Sequence, residues 1–349
     1  MRRGTSLLTC CTLAWLASTD AAAADCPTEG AAPAAPAAAQ AAAQGPPGSG
    51  CIDPEIAGYV ETRGGRLWYR MNGAQHLGTG VPALLALHGG PGSSHRALLS
   101  LVGLADRYPV VLYDQLDSGN SDRPGNPGNW TVEQFVQEIE TVRSALHLDD
   151  VVILGHSAGG AWATVYAGQH PPSLRGLILA GPLVSTRLWL DDVAKLRAQL
   201  PDVVREELDR HEAAGTTGSE SYLRAVEAFY ARHLCHGPCP NPCFAQGRPA
   251  FNEVLYEHMW GPNEFTATGV LREFDALPLL RNVESPLLVI CGEYDEVRQE
   301  TCARLAAMAG HGTTAAIAGA AHMAPLENPT EFVTAVRRFL DSLQGDQRE

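Results

Sequence analysis

The segment Val151-Val152-Ile153-Leu154-Gly155-His156-Ser157-Ala158-Gly159 decides the fold of this chain. Its apolar half, residues 151–154, predicts a buried strand, and residues 158–170 predict a helix. A serine among small residues at such a junction is typical of a sharp strand-to-helix turn, because glycines on both sides let the two backbones approach closely. The turn would lift the Ser157 hydroxyl above the carboxyl end of a sheet, which makes Ser157 the candidate nucleophile.

Strand and helix patterns alternate on both sides of this turn. After a hairpin within residues 58–71, apolar runs predict strands at residues 83–87, 110–113, 151–154, 177–180, 287–290 and 313–317. Further helices are predicted at residues 94–105, 299–309 and 330–343, with another capped by Thr131. Alternation at this spacing indicates βαβ units, so we expect an α/β fold with a mostly parallel sheet covered by helices on both faces.

The strand pattern stops between residues 186 and 275. Helical stretches such as residues 188–199 and 221–234 replace it, and the middle of this region, which breaks the helical pattern, is rich in Pro and Gly. We therefore predict an inserted helical cap over residues 186–275, which divides the core into residues 55–185 and 276–349.

The first residues have the features of an export signal. Arg2-Arg3 is basic, residues 7–17 are apolar, and Ala22-Ala23-Ala24 offers a small-residue cleavage site. We predict a signal peptide over residues 1–24, an Ala/Pro-rich linker over residues 25–54, and an exported protein, periplasmic or secreted. The apolar run is too short for a permanent membrane span.

The charge of the chain limits its partners. A formal net charge of -14 argues against nucleic-acid and anionic-membrane partners and predicts a surface that attracts cationic groups. Solubility alone also accounts for this charge. The sequence leaves the oligomeric state open.

Export would place the cysteines in an oxidising compartment. Of nine cysteines, Cys10 and Cys11 leave with the signal, and an odd number remains: Cys26, Cys51, Cys235, Cys239, Cys243, Cys291 and Cys302. The closely spaced, proline-rich run at 235–243 favours a local disulfide over a zinc site. The pairing of the other cysteines stays open.

A serine nucleophile needs a base, and the base needs a carboxylate. In an open sheet both should lie on loops after later strands, and Asp295 and His322 follow the predicted strands at 287–290 and 313–317. Other residues compete for the two roles: Glu293 and Glu296 as the acid, and His88, His156 and His311 as the base. Order and placement together favour Ser157, Asp295 and His322 as a catalytic triad.

Acyl transfer also needs two donors for the developing oxyanion. The backbone N–H of Ala158, at the head of the predicted helix, is one candidate. The second should come from the loop after the strand at 83–87, where residues 88–92 read His-Gly-Gly-Pro-Gly. We predict Gly90 as this donor, with Gly89 as the alternative.

Residues 55–343 resemble the proline iminopeptidase (prolyl aminopeptidase) family of α/β-hydrolases, a serine-peptidase family. The matching segments are HGGPG at 88–92, YDQLDSGNSDRP at 113–124, GHSAGG at 155–160, RHLC at 232–235, MWGPNEF at 259–265, GEYDEV at 292–297 and AHMAPLENP at 321–329. The resemblance implies an α/β-hydrolase fold and an enzyme that removes an N-terminal residue, typically proline, from short peptides. It also implies a serine acyl-enzyme without metal or other cofactor.

The resemblance further implies that carboxylates of the cap bind the free α-amine of the substrate. Glu264 of the MWGPNEF segment falls on that position. A cationic amine in a dry pocket needs an anion at close range, which agrees with this role. A second carboxylate is expected, and Glu227 is the candidate for it.

Three positions depart from the family pattern. Asp117 stands where the family usually has glycine, the segment after residue 235 lacks the usual tryptophan, and Ala158 replaces a bulky aromatic residue. The family pattern therefore gives no expectation for the loop at residue 117, the edge of the cap or the width of the pocket.

The sequence thus predicts a serine exopeptidase that releases an N-terminal proline or small apolar residue from short peptides or aminoacyl amides. One alternative is an esterase, lactonase or amidase of the same fold that needs no free amine. The other is a ligand-binding protein on a hydrolase fold that has lost catalysis.

Overall fold

The computed structural model describes residues 52–236 and 251–345. The predicted signal peptide, the linker up to Cys51, and Cys239 and Cys243 lie outside these residues. Eight strands form one sheet: β1 (Ile56–Glu61), β2 (Arg66–Asn72), β3 (Ala83–Leu87), β4 (Val110–Tyr113), β5 (Val151–His156), β6 (Leu174–Ala180), β7 (Leu287–Gly292) and β8 (Gly312–Ile317).

The strand order is β1-β2-β4-β3-β5-β6-β7-β8. β1 pairs with β2, and β2 with β4, in antiparallel fashion, and every other neighbouring pair is parallel. The predicted mostly parallel sheet is confirmed. Because parallel strands end at the same edge, the loops after β3, β5, β7 and β8 meet on one side of the sheet.

The unbroken apolar run of β5 reflects burial on both faces of the sheet. Val151 and Ile153 pack into the core on one face, while Val152 and Leu154 pack into the core on the other. Successive side chains of a strand point to opposite faces, so a strand covered on both sides must be apolar throughout.

Helices cover both faces. Those of the core are α1 (Val132–Ala145) and α2 (Ala158–Ala167), followed after the cap by α7 (Leu277–Leu280), α8 (Gln299–Met308), α9 (Ala324–Glu327) and α10 (Pro329–Gly345). Thr131 caps α1, since its hydroxyl accepts the Gln134 N–H at 3.2 Å. A disulfide between Cys291 and Cys302 joins the end of β7 to α8.

One predicted α-helix has a different form. The residues from His95 to Leu104 form a 3₁₀ helix. His95, Leu98, Leu101 and Leu104 are all buried. Their spacing of three residues matches the three-residue turn of a 3₁₀ helix, and this packing decides the form.

Between β6 and β7 the chain leaves the sheet, and its described residues there are mainly helical. The helices are α3 (Thr186–Arg197), α4 (Asp202–Ala214), α5 (Glu220–His233), α6 (Glu253–Met259) and a 3₁₀ helix, Val270–Glu273. An isolated bridge between Ser185 and Asp275 joins the two ends of this insertion. We refer to residues 186–275 as the cap.

Within residues 52–236 and 251–345, no helix combines the length and the apolar character needed to cross a bilayer.

Candidate active site

Ser157 sits at the sharp turn between β5 and α2. Its backbone has φ 56 and ψ -124, a conformation that non-glycine residues rarely adopt. A Cβ on Gly155 would overlap the carbonyl oxygen of Gly159, and one on Gly159 would lie 2.6 Å from the carbonyl oxygen of Leu87. Both glycines are therefore required for the turn, which places the serine at the head of α2.

His322 and Asp295 form a hydrogen-bonded pair on the loops after β8 and β7. Nδ1 of His322 lies 2.9 Å from Oδ1 of Asp295, and both side chains are buried. The backbone N–H groups of Gly292 and Val297 each donate to the Asp295 carboxylate at 3.1 Å. Since Nδ1 donates to Asp295, Nε2 of His322 is the ring atom that can accept a proton.

The turn after β6 brings these residues together. The Ser157 N–H donates to the carbonyl of Ala180 at 3.0 Å. A Cβ on the next residue, Gly181, would lie 2.8 Å from Nδ1 of His322 and 3.0 Å from Oδ2 of Asp295. All three predicted triad residues therefore pack around Ala180 and Gly181.

Charged neighbours hold a proton on His322. Burial alone would lower its pKa, but the charge and hydrogen bond of Asp295, with the charges of Glu296 and Glu264, raise the pKa of His322 to about 9. His156 behaves in the opposite way, since burial and then the charge of His322 lower its pKa to about 4. Nε2 of His156 donates to the His322 carbonyl at 3.0 Å, so His156 supports the loop of the base.

The predicted oxyanion donors face the same space. Gly90 and Ala158 both line a cavity beside Ser157. The preceding glycine, Gly89, packs so closely that a Cβ there would lie 2.6 Å from Cβ of Ser157. His88 anchors this loop, since its Nε2 accepts the Gln115 N–H at 3.1 Å.

This cavity lies where the cap meets the core. The core and the linking turns contribute Gly90, Pro91, Ser157, Ala158 and Leu183, and the cap contributes Trp189, Trp260, Glu264 and Leu271. The ring of Trp189 stands edge-on to that of His322, with centroids 5.5 Å apart. The predicted nucleophile is thus enclosed by aromatic surface and one carboxylate.

Three side chains fix Glu264 in the wall of the cavity. The Tyr256 hydroxyl donates to its carboxylate at 2.6 Å, its N–H donates to the Tyr230 hydroxyl at 3.3 Å, and its carbonyl accepts the Trp189 indole N–H at 3.3 Å. Burial raises the pKa of Glu264, while the bond from Tyr256 and the charge of His322 oppose this shift.

A second carboxylate, that of Glu296, interacts electrostatically with that of Glu264. Glu296 is 0% exposed, and neither of its carboxylate oxygens has a hydrogen-bond partner within the described part of the chain. Burial, followed by the charge of Glu264, raises the pKa of Glu296 well above its usual range. A buried carboxylate without a partner is costly, and the raised pKa means that the protonated form of Glu296 is favoured unless a cation lies beside it.

Glu227 lies on the exposed side of α5. The buried side of that helix carries Tyr222, Val226, Phe229 and His233, and the next residue after Val226 is turned about 100° away from this side. Its predicted role as the second amine-binding carboxylate stays a prediction, while Glu296 is the carboxylate whose charge acts on His322 together with that of Glu264. One available signal was the place of Glu296 directly after Asp295 on a loop beyond a strand end.

The departure at Asp117 is accommodated within its loop. Asp117 adopts φ 62, in the left-handed region that aspartate tolerates better than most residues. Its carboxylate accepts the Trp130 indole N–H at 2.7 Å and the Gly125 N–H at 2.8 Å, and its carbonyl accepts from the Asn252 side chain at 2.8 Å. Asn252 belongs to the cap, so this loop also links the core to the cap.

Comparisons with known proteins agree with this architecture. A family model described as the alpha/beta hydrolase fold matches residues 82–329. The chain is 36% identical over 288 residues to a proline iminopeptidase of Heyndrickxia coagulans, covering 82% of this chain and 99% of that protein. The range matched by the family model, residues 82–329, contains every site residue described above.

Two crystal structures are similar over the same part of the chain. One is that of VinJ, with a TM-score of 0.76 and 36% identity, which covers 83% of this chain and 100% of that one. The other is the proline iminopeptidase of Mycobacterium smegmatis, with a TM-score of 0.75 and 34% identity, which covers 82% of this chain and 98% of that one.

Proposed function

We propose an activity for this chain, which belongs to the proline iminopeptidase family of α/β-hydrolases. It releases an N-terminal proline or another small apolar residue from short peptides or aminoacyl amides. Its relatives make it a hydrolase of the aminopeptidase class. The observation that carries the more specific proposal is the pair of carboxylates, Glu264 and Glu296, whose charges act on His322 beside the cavity of Ser157.

The proposed reaction uses the residues at the strand ends. Oγ of Ser157 attacks the carbonyl carbon of the N-terminal residue, while Nε2 of His322 takes the hydroxyl proton. The N–H groups of Gly90 and Ala158 donate to the oxyanion. As the C–N bond breaks, His322 gives the proton to the leaving amine, and the acyl group remains on Ser157.

Water then completes the cycle. His322 removes a proton from water as it attacks the acyl-enzyme, and returns this proton to Oγ of Ser157 when the amino acid leaves. Asp295 keeps the imidazole oriented and stabilises its positive charge in both halves of the reaction.

Glu264 and Glu296 would bind the substrate through its amine. The ammonium group of an N-terminal proline has two N–H bonds, and the two carboxylates offer an acceptor for each. Pairing with this cation removes the penalty of the buried carboxylates. An N-acylated substrate has no positive charge and would leave both carboxylates unpaired, so the proposed enzyme acts only at free N-termini.

The walls of the cavity favour a compact side chain. Trp189 and Trp260 present flat aromatic surfaces, with ring centroids 5.9 Å apart and a 74° interplanar angle. Such surfaces suit the ring of proline or a small aliphatic side chain.

A substrate panel tests the proposal. We would compare kcat/KM for prolyl, alanyl and phenylalanyl p-nitroanilides, N-acetylprolyl p-nitroanilide and p-nitrophenyl acetate. We expect the prolyl compound to react fastest and its N-acetyl form to react at least about 100-fold more slowly, because two charged hydrogen bonds, each worth about 1.5–3 kcal/mol, are lost. Equal rates for the free and acetylated forms would support the esterase or amidase alternative instead.

We also propose that the enzyme acts outside the cytoplasm. The Cys291–Cys302 disulfide and the disulfide at Cys235 support this, since disulfides persist mainly in oxidising compartments. Cell fractionation with N-terminal sequencing tests the proposal: mature protein beginning near Asp25 outside the cytoplasm is expected, whereas a cytoplasmic chain that retains residues 1–24 would refute it.

A further inference from the structure

The last residue of α5, His233, contacts both loops that carry the proposed base and acid. Its carbonyl accepts the backbone N–H of His322 at 3.0 Å. Its Nδ1 lies 2.9 Å from the carbonyl oxygen of Tyr294, the residue before Asp295. One residue of the cap therefore contacts the chain at, or directly next to, each member of the pair.

The neighbours of His233 extend this contact. The carbonyl of Leu234 accepts the Met323 N–H at 3.0 Å, so two successive backbone bonds join the end of α5 to the loop of the base. The ring of His236 stacks on that of Tyr294, with centroids 4.1 Å apart. The end of α5 thus contacts the acid-bearing loop twice: the His233 ring lies against the backbone carbonyl of Tyr294, and the His236 ring stacks on the Tyr294 side chain.

The chemistry of the His233 ring is decided by its surroundings. A carbonyl oxygen can only accept, so Nδ1 carries the proton and donates it to Tyr294. The ring is 3% exposed, packs 4.8 Å from the ring of Phe229, and its Nε2 has no partner within the described residues. Burial lowers the pKa of His233, which agrees with a neutral ring. Among the described residues, the polar contact of the His233 ring is therefore the hydrogen bond from Nδ1 to the Tyr294 carbonyl.

We propose that His233 is a positioning residue that holds the acid-bearing and base-bearing loops in register and so ties the catalytic pair to the docked cap. The proposal rests on the function proposed above. The 2.9 Å bond between His322 and Asp295 joins two loops that come from different strands, and His233 bridges these loops from the side of the cap. The RHLC segment at residues 232–235, which the proposed reaction does not otherwise use, thereby acquires a role.

Other contacts hold the acid-bearing loop as well. The carboxylate of Asp192 on α3 accepts the Arg298 N–H at 3.0 Å, and the Cys291–Cys302 disulfide closes the loop at its base. Loss of the His233 ring bond should therefore displace the loop slightly rather than release it. Small displacements of reacting groups can cost up to about 100-fold in rate, so we expect a 10- to 100-fold effect.

Two matched variants test the proposal. His233→Asn keeps an amide N–H close to the place of Nδ1–H, whereas His233→Leu fills similar space without a donor. We would count functional sites by fluorophosphonate labelling and then measure kcat and KM per labelled site on prolyl p-nitroanilide. We expect His233→Leu to lose about 10- to 100-fold in kcat with a smaller change in KM, and His233→Asn to recover most of this loss.

Hydrogen exchange gives a readout that does not depend on turnover. Amides of residues 292–298 and 320–325 should exchange faster in His233→Leu than in the parent or in His233→Asn. If His233→Leu does not fold, His233→Ala with and without added imidazole replaces it, and imidazole should restore both kcat and protection.

Unchanged kcat per site and unchanged exchange in the leucine variant, or an asparagine variant as impaired as the leucine one, would overturn the proposal. A parent protein that neither labels nor hydrolyses the anilide would instead refute the proposed function, and the exchange experiment would still decide the role of His233.

Discussion

The residues that the sheet supplies to this site and those that the cap supplies are held in different ways. Ser157 is fixed by a turn with φ 56 at the end of β5, and Asp295 and His322 lie on loops just beyond β7 and β8. Glu264 of the cap depends instead on side-chain contacts, from Tyr256 and Trp189 among others. The sheet residues are positioned by backbone topology, and the cap residue is positioned by packing.

This difference separates chemistry from selectivity. In the proposed reaction, the sheet residues supply the nucleophile, base and acid that acyl transfer on this fold requires. The cap supplies the aromatic walls and one carboxylate, which would choose among substrates. Glu296 connects the two halves, since it belongs to the loop of Asp295 and its carboxyl interacts electrostatically with that of Glu264 in the cap. Changes in the sheet residues should therefore affect all substrates, and changes in the carboxylates should affect only those with a free amine.

The largest effect is expected for Ser157→Ala. Without its nucleophile the enzyme should lose about 10⁴- to 10⁶-fold in kcat on every substrate, including p-nitrophenyl acetate. Steady-state kinetics measure this loss, and a melting curve shows that the fold persists. Ser144→Ala, at an exposed position of α1, is the control and should behave as the parent. Near-parental activity in Ser157→Ala would contradict the claim that the sheet residues supply the nucleophile.

A smaller and more selective effect is expected for Glu264→Gln and Glu296→Gln. Each should reduce kcat/KM for prolyl p-nitroanilide by about 10- to 100-fold, because a charged hydrogen bond to the ammonium is lost. Activity on p-nitrophenyl acetate should change far less. Glu227→Gln, on the exposed side of α5, is the matched control and should leave both activities unchanged. A uniform loss on both substrates would mean that these carboxylates serve chemistry rather than selectivity.

The pH dependence of kcat/KM tests whether the charge of Glu296 acts on His322, and so whether Glu296 links the cap residues to the sheet residues. His322 acts as a base only when neutral, and acidic neighbours raise its pKa to about 9, so kcat/KM should increase with pH up to that region. The charge of Glu296 contributes to this pKa to the extent that its carboxyl is ionised, so the acidic limb of Glu296→Gln should move to lower pH. A limb that stays in place, or moves to higher pH, would contradict the electrostatic link between Glu296 and the base.

The smallest effect on catalysis is expected from the Cys291–Cys302 disulfide. The double substitution Cys291→Ala with Cys302→Ala should lower the free energy of unfolding by about 2–4 kcal/mol while retaining much of kcat, since Asp192 and His233 still hold the loop. Urea denaturation with parallel kinetics measures both quantities. If stability is unchanged but kcat falls sharply, the disulfide positions Asp295 rather than stabilising the fold.

The sheet half was the more predictable from the sequence. Apolar runs and the glycines around Ser157 are local signals, and the rule that catalytic loops follow strand ends led to Asp295 and His322. Their placement in the structure follows from the parallel topology.

The cap half was harder to predict for physical reasons. Helices α4 and α6 were not predicted, because α4 buries only Leu208 and His211 and α6, with seven residues, is too short for a helical pattern to repeat. Glu227 was chosen without knowing the rotation of α5 against its neighbours, and Glu296 was weighed only as an alternative to Asp295. The pairing of Cys291 with Cys302 likewise depends on how α8 packs on β7. Each of these features arises from contacts that local sequence patterns do not encode.

Trapping the acyl-enzyme tests the central claim most directly. The parent would be mixed with a prolyl p-nitrophenyl ester, quenched in acid, digested and analysed by mass spectrometry, with His322→Ala in parallel. The account predicts a prolyl adduct on Ser157 in the parent and little or none in His322→Ala. An adduct on another residue, or rapid turnover with no adduct on Ser157, would contradict it.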